Sequence, residues 1–362
     1  MLKANNGSVI LVHRISSGNV DNFPERRLKM WIDIYGDISM EKRKLIIDCD
    51  PGVDDALMLA YAAAHRDEFD ILAVTTVSGN QDIEKVTRNA LDLLSFYGMD
   101  VPVAKGMREP LVKRSQYAPE THGESGLGAC VLPRSSGNPV DENAVLFIRR
   151  ILMGLKEGEK ADIAATGPLT NIALVLKLFP EVKEKIREIL FMGGSLSGGN
   201  VTEAAEFNFY TDPEAAKIVL HAGVPLIMCG LDVTEKCTLT RGQILKLCQS
   251  GHPAARVCGD MAGFSLENTS DKYRGETSMH DVAPLMYMTH PEIFKGGFQI
   301  LDADCSEGPA RGAVLGGFRW WRNEETEANV FALTDADTAK FQEYLIAALY
   351  SVAVAAVDSY GL

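Results

Sequence analysis

The stretch DCDPGVDDA, Asp48 to Ala56, puts the carboxylates of Asp48, Asp50, Asp54 and Asp55 directly after the apolar run LII. Like charges crowded where a buried strand ends repel one another and lose hydration, a cost that a cation among them removes. A bound metal ion is therefore the simplest occupant. Taken singly, Asp54 and Asp55 also suit the positive end of a helix dipole, where either would be an ordinary first-turn acid.

Three further segments carry residues suited to chemistry. In GGNVTEAAEFNFYTDPEAA, Asn200, Glu206 and Asn208 stand among the aromatics Phe207 and Phe209. Amides and a carboxylate held between rings offer the mixed donors and acceptors that a sugar requires, and Asp212 reads as the N-cap of the helix that follows. MHDVAPLMY sets His280 and Asp281 at the start of an apolar helix, where the plain reading is a flank and a cap. THGESGLG carries His122 in a glycine-rich loop fit to be a mobile lid.

These residues need a scaffold, and the chain supplies an alternating one. Short β-prone runs lie at 44–48, 71–77, 101–106, 161–166, 188–193 and 225–230, with helix-like stretches at 54–65, 83–98, 143–156 and 212–223. Alternation of this kind predicts an α/β fold: an open, mostly parallel, Rossmann-like sheet with helices on both faces, in one domain. The strands are apolar throughout, as strands covered on both sides are. Polar or glycine-rich segments follow their C-terminal ends: DCDPG after the first, SGN with Asn80 after the second, TGPLTN with Thr166 after the fourth and GGS after the fifth. That edge is where open α/β sheets bind ligands. Neither G-x-G-x-x-G nor G-x-x-x-x-G-K-[ST] occurs, so the usual nucleotide-phosphate loops are missing.

Composition narrows the partners. A net charge of −13 argues against a nucleic-acid partner, which needs clustered Lys and Arg. The seven cysteines form no C-x-x-C pair, which indicates neither a disulfide framework nor a zinc site and points to a reducing, cytoplasmic compartment. The apolar stretch at 344–357 is shorter than the roughly 20 residues of a membrane-spanning helix and reads as a terminal helix packed on the core or on another subunit. Met40 opens MEKRKLIIDCDPG, a natural start for a cytosolic α/β enzyme. Residues 1–39 are accordingly read as an extension, disordered or arising from a mis-assigned start, and 40–362 as the functional domain.

Together these motifs resemble the nucleoside hydrolase family, of the inosine–uridine preferring type, from about Lys44 to the last strand. Asp50, Asp54 and Asp55 match its aspartate signature, Asn80 its asparagine after the second strand and Thr166 its metal-binding main-chain oxygen. Asn200, Glu206 and Asn208 match its ribose segment, and His280 with Asp281 its His-Asp pair. Glu203 and Val282 stand where prolines are common.

The resemblance implies Ca²⁺ held by Asp50, Asp55, Asp281 and the Thr166 carbonyl, and an oxygen-only set independently suits a hard cation. It further implies cleavage of the N-glycosidic bond of ribonucleosides through an oxocarbenium-like state, with Asp50 as general base on a water whose pKa the ion lowers. Asp54 and Asn208 would hold the 2′- and 3′-hydroxyls, and Asn200 and Glu206 would lie near the 5′-hydroxyl, with Asn80 supporting Asp54. His280 would protonate or stabilise the leaving base, while His122, Phe207, Tyr273 and Arg274 would face the base. A purine-specific member would stack its base between tryptophans, whereas Trp31, Trp320 and Trp321 lie outside the motif loops. The resemblance therefore implies activity on both inosine and uridine, a role in purine and pyrimidine salvage and a homodimer or homotetramer.

Two other functions compete. A D-x-D phosphohydrolase also places two aspartates after the first strand, but so many acids would repel phosphate. A non-catalytic calcium-dependent nucleoside or sugar binder would need neither Asp50 as base nor His280 as acid.

Overall fold

The computed structural model describes residues 42–269, 271–316 and 328–355. The extension at 1–39, Met40 and all three tryptophans lie outside them.

Strand β1 (Arg43–Cys49) shows how the sheet is built, because its side chains alternate between two apolar layers. Leu45 and Ile47 enter one core and Ile46 the other, each fully buried. Next come β2 (Phe69–Thr76), β3 (Val103–Lys105), β4 (Ala161–Ala165), β5 (Ile186–Met192), β6 (Leu226–Cys229), β7 (Phe294–Gln299) and β8 (Val330–Ala336). The eight-stranded sheet runs β3-β2-β1-β4-β5-β6-β8-β7. All neighbours pair in parallel except β7 and β8, which are antiparallel. Strands β7 and β8, the antiparallel pair at one end of the sheet, are additions to the predicted set. FKGGFQ, with two glycines and no run of β-branched residues, carries little strand signal of its own.

Helices Val53–Ala64, Pro253–Asn268, Val282–Thr289 and Thr338–Ser351 cover one face; Ala144–Gly154, Thr170–Leu178 and Pro213–Leu220 cover the other. The last of the first group is the expected terminal helix. It buries Phe341, Leu345 and Leu349, one side chain per turn, in the same core as Leu57. No helix among the described residues is long and apolar enough to cross a membrane. All seven cysteines are free thiols.

The chain leaves β1 for β2 and β3 on one side and then returns to place β4 on the other. The order therefore reverses between β1 and β4, and the crevice at their carboxyl ends is where such sheets bind ligands. Asp48 at the end of β1 lies opposite Thr75 of β2 and Ala165 of β4. Asp50, Asn80 and Thr166, each just past its own strand, consequently meet at one edge.

Candidate active site

Asp48 anchors the site from below. Its Oδ1 accepts bonds from Thr75 Oγ1 (2.5 Å) and Asn171 Nδ2 (2.8 Å), and burial pushes its carboxyl up to about 7. Asn171 donates also to the Thr76 carbonyl and accepts from Met107 N, so one amide ties β1, β2 and the loop after β3 together.

Asp50, just beyond the strand, is gripped. Asn80 N donates to its Oδ2 at 2.7 Å. Gly79 and Gly167 press on either side of the carboxylate, where a Cβ would fall 2.0 Å from Oδ2 and 2.7 Å from Oδ1 respectively. The turn continues through Gly52, whose N–H donates to Asp55 Oδ2 while Thr166 Oγ1 donates to Asp55 Oδ1. Asn80 Nδ2 reaches the Asp50 carbonyl and, more weakly, Asp55 Oδ2 at 3.4 Å. Asn80 thus supports Asp50 and Asp55, not Asp54 as the sequence suggested.

Carboxylate oxygens of Asp54, Asp55 and Asp281 all lie within 4.8 Å of one another, and all three residues are buried. Burial together with mutual repulsion holds the carboxyls of Asp50 and Asp281 well above their ordinary range, and Asp55 at about 7. Asp54 Oδ1 is buried without a hydrogen-bond partner. Among the described residues no lysine or arginine forms an ion pair with any of these four acids. An oxygen-only donor set with an orphaned carboxylate oxygen fits a hard divalent cation. The tight group contains Asp54 where the expected ligand set had Asp50, and the Thr166 carbonyl accepts Asn208 Nδ2 at 2.8 Å.

Above the acids opens a cavity of about 690 Å³. Asp54, Asp281 and Thr166 line it, and Asp50 and Asp55 lie buried behind that wall. Asn80, Asn200, Glu206, Phe207 and Asn208 line it too, as do His122, His280 and Arg274. Tyr273 does not, being 84% exposed.

The segment carrying Asn200, Glu206 and Asn208 folds in a way its sequence did not reveal. Glu206 is the N-cap of the short helix Phe207–Thr211, accepting from Asn208 N and Phe209 N, and also from Gly194 N at 2.8 Å. Burial still raises its carboxyl to about 7. Asn200 Oδ1 accepts from Phe207 N, and the predicted cap Asp212 accepts from Ala215 N.

His122 has a structural task as well. Its Nδ1 accepts the N–H of Val53 at 3.1 Å, capping the helix that carries Asp54 and Asp55. A ring accepting at Nδ1 is neutral with its proton on Nε2, in keeping with the lowering of its pKa by burial. The loop around it is tied down by one main-chain carbonyl and two side-chain amides. Asn80 O accepts from Ala118 N, Gln81 Nε2 donates to Gly123 O, and Asn89 Nδ2 bridges Pro51 O and Ser125 O. Gln81 and Asn89 gave no sequence signal, since their partners are backbone carbonyls distant in the chain.

Residues 45–343 match the family model of the inosine-uridine preferring nucleoside hydrolases. The chain belongs to that family. It is a ribonucleoside hydrolase, an N-glycosidase. The pyrimidine-specific ribonucleoside hydrolase RihB of Escherichia coli O1:K1 is 37% identical over 277 residues, which span 76% of this chain and 88% of RihB. Among solved structures, the plant nucleoside hydrolase PpNRh1 aligns with a TM-score of 0.80 at 28% identity, covering 86% of this chain and 99% of that one. The purine-preferring ribonucleoside hydrolase of Gardnerella vaginalis gives 0.79 at 31% identity, with the same coverage of each chain.

Proposed function

We propose that this nucleoside hydrolase cleaves inosine and uridine to ribose and free base, with Ca²⁺ at Asp50, Asp55, Asp281 and the Thr166 carbonyl, and Asp54 close by. The observation that carries this reading is one cavity with carboxylates on one wall and two imidazoles, His122 and His280, also facing it. Breaking the C1′–N bond builds positive charge on the ribose ring and negative charge on the departing base. The acids stabilise the first and an imidazole proton relieves the second.

A calcium ion bound there would neutralise the crowded acids and make a water more acidic. Asp50, fixed by Asn80 and the two glycines, takes the proton of the attacking water as its oxygen bonds to C1′. The electron pair of the breaking C1′–N bond goes to the base, and His280 Nε2 supplies a proton to the base nitrogen. Asp54 and Asn208 hold the 2′- and 3′-hydroxyls, with Asn200 and Glu206 towards the 5′-hydroxyl and Asn80 holding Asp50. His122, Phe207 and Arg274 border the base; Tyr273, exposed and outside the cavity lining, is the weakest of the expected base contacts.

Purified protein incubated with a panel of ribonucleosides, scored for free base and free ribose, tests this directly. Release of both products from inosine and from uridine is expected. Binding of inosine without release would overturn the substrate assigned here, and an inert uridine would contradict the broad base specificity. The same reading takes 40–362 as the hydrolase unit, acting in the cytoplasm in nucleoside salvage as a homodimer or homotetramer. A variant starting at Met40 should keep full activity, and its mass by light scattering should be two or four times that of the monomer.

A further inference from the structure

The shorter of the hydrogen bonds to the two cavity histidines comes from a residue outside every sequence motif. His280 Nδ1 lies 2.7 Å from the hydroxyl of Thr234, which is fully buried on the short helix Leu231–Thr234 after β6. The helix is pinned by bonds from Thr234 N to the Gly230 carbonyl (3.0 Å) and from Cys237 N to the Thr234 carbonyl (3.0 Å). His280 itself is half-buried and lines the cavity. One ring nitrogen is thus held by the protein interior, which leaves Nε2 as the nitrogen free to meet a ligand.

We propose that Thr234 is a positioning residue for leaving-group departure: its hydroxyl fixes the ring of His280 so that Nε2 presents a proton to the base. The inference rests on the reading of His280 as the leaving-group acid. A hydroxyl suits this task because it can reverse its bond. It can donate to a bare Nδ1 or accept from Nδ1–H without moving, so the same bond holds the cation that gives its Nε2 proton to the base and the Nδ1–H ring left behind. Ring orientation is therefore the same before and after transfer. A carboxylate there could only accept, and an apolar side chain would leave Nδ1 without a partner.

The substitution Thr234→Val keeps volume and β-branching and removes only the hydroxyl; Thr234→Ser keeps the hydroxyl. With inosine we expect Thr234→Val to lower kcat about 10- to 100-fold with KM changed less than about threefold, and Thr234→Ser to stay within about threefold of wild type. With 4-nitrophenyl riboside, whose phenolate leaves without a proton, Thr234→Val should match wild type. In a His280→Ala background it should cause no further loss. Equal slowing of both substrates by Thr234→Val, a multiplicative loss in the double variant, or Thr234→Ser as slow as Thr234→Val would overturn the inference while leaving His280 its role. Wild-type kcat on inosine for His280→Ala would overturn that role and the inference with it. Should Thr234→Val not fold, Thr234→Ala read against the same two substrates makes the same distinction.

Discussion

The grip on Asp50 makes Gly79 the most informative position to change. In Gly79→Ala the new methyl would fall 2.0 Å from Asp50 Oδ2 and 2.7 Å from Pro168 Cδ. Carbon and oxygen approach no closer than about 3.3 Å even in weak hydrogen bonds, so the carboxylate has to give by about 1.3 Å. Asp50 cannot simply rotate away, because Asn80 N holds the same oxygen and Gly167 closes the opposite side. Misplacing a reacting group by about 1 Å costs on the order of 10²-fold in rate, whereas overpacking costs about 1–3 kcal/mol of stability. We therefore expect a folded Gly79→Ala protein with kcat on inosine down by about two orders of magnitude and Tm lower by several degrees. Gly242→Ala is the control: nothing lies within 4 Å of its added methyl, on an ordinary helix, and it should retain full activity. Steady-state kinetics and thermal melts of the two variants decide the matter. A Gly79→Ala enzyme within threefold of wild-type kcat would show that turnover does not depend on where Asp50 is held.

Three other outcomes follow from the same geometry. Removing divalent metal with a strong chelator should abolish turnover, with Ca²⁺ restoring it better than Zn²⁺, since the donors are oxygens; full activity in metal-free protein would refute the assignment. Nucleoside 5′-monophosphates should be poor substrates beside Glu206, and comparable kcat/KM for inosine and its monophosphate would show the ribose pocket has been misoriented. Asn171→Ala should destabilise the fold by about 2–3 kcal/mol in urea unfolding, because it leaves the Asp48 carboxylate, the Thr76 carbonyl and the Met107 N–H short of a partner; a change under about 0.5 kcal/mol would refute that role.

Much of the scaffold was legible because its signals are local. Six of the eight strands are short runs rich in apolar residues, and the helices between them are bounded by caps such as Asp82 and Asp212, whose partners lie two or three residues away. The edge strand β7 was not legible, since a glycine-bearing strand owes its pairing to its neighbour, here β8.

For the site, residue types and their place at the carboxyl edge of the sheet were determined by the sequence alone. The acids of DCDPGVDDA, the amides Asn200 and Asn208 and the His-Asp pair all follow strands or open helices, and strand order brings them to one crevice. What each side chain does there was decided by tertiary structure. Glu206 is a helix cap bonded also to Gly194, Asn80 serves Asp50, and His122 caps the Val53 helix from 69 residues away. Thr234 reaches His280 across 46. A hydrogen bond needs its partner within about 3 Å, and partners so far apart in the chain are brought that close only by the completed packing of both faces of the sheet.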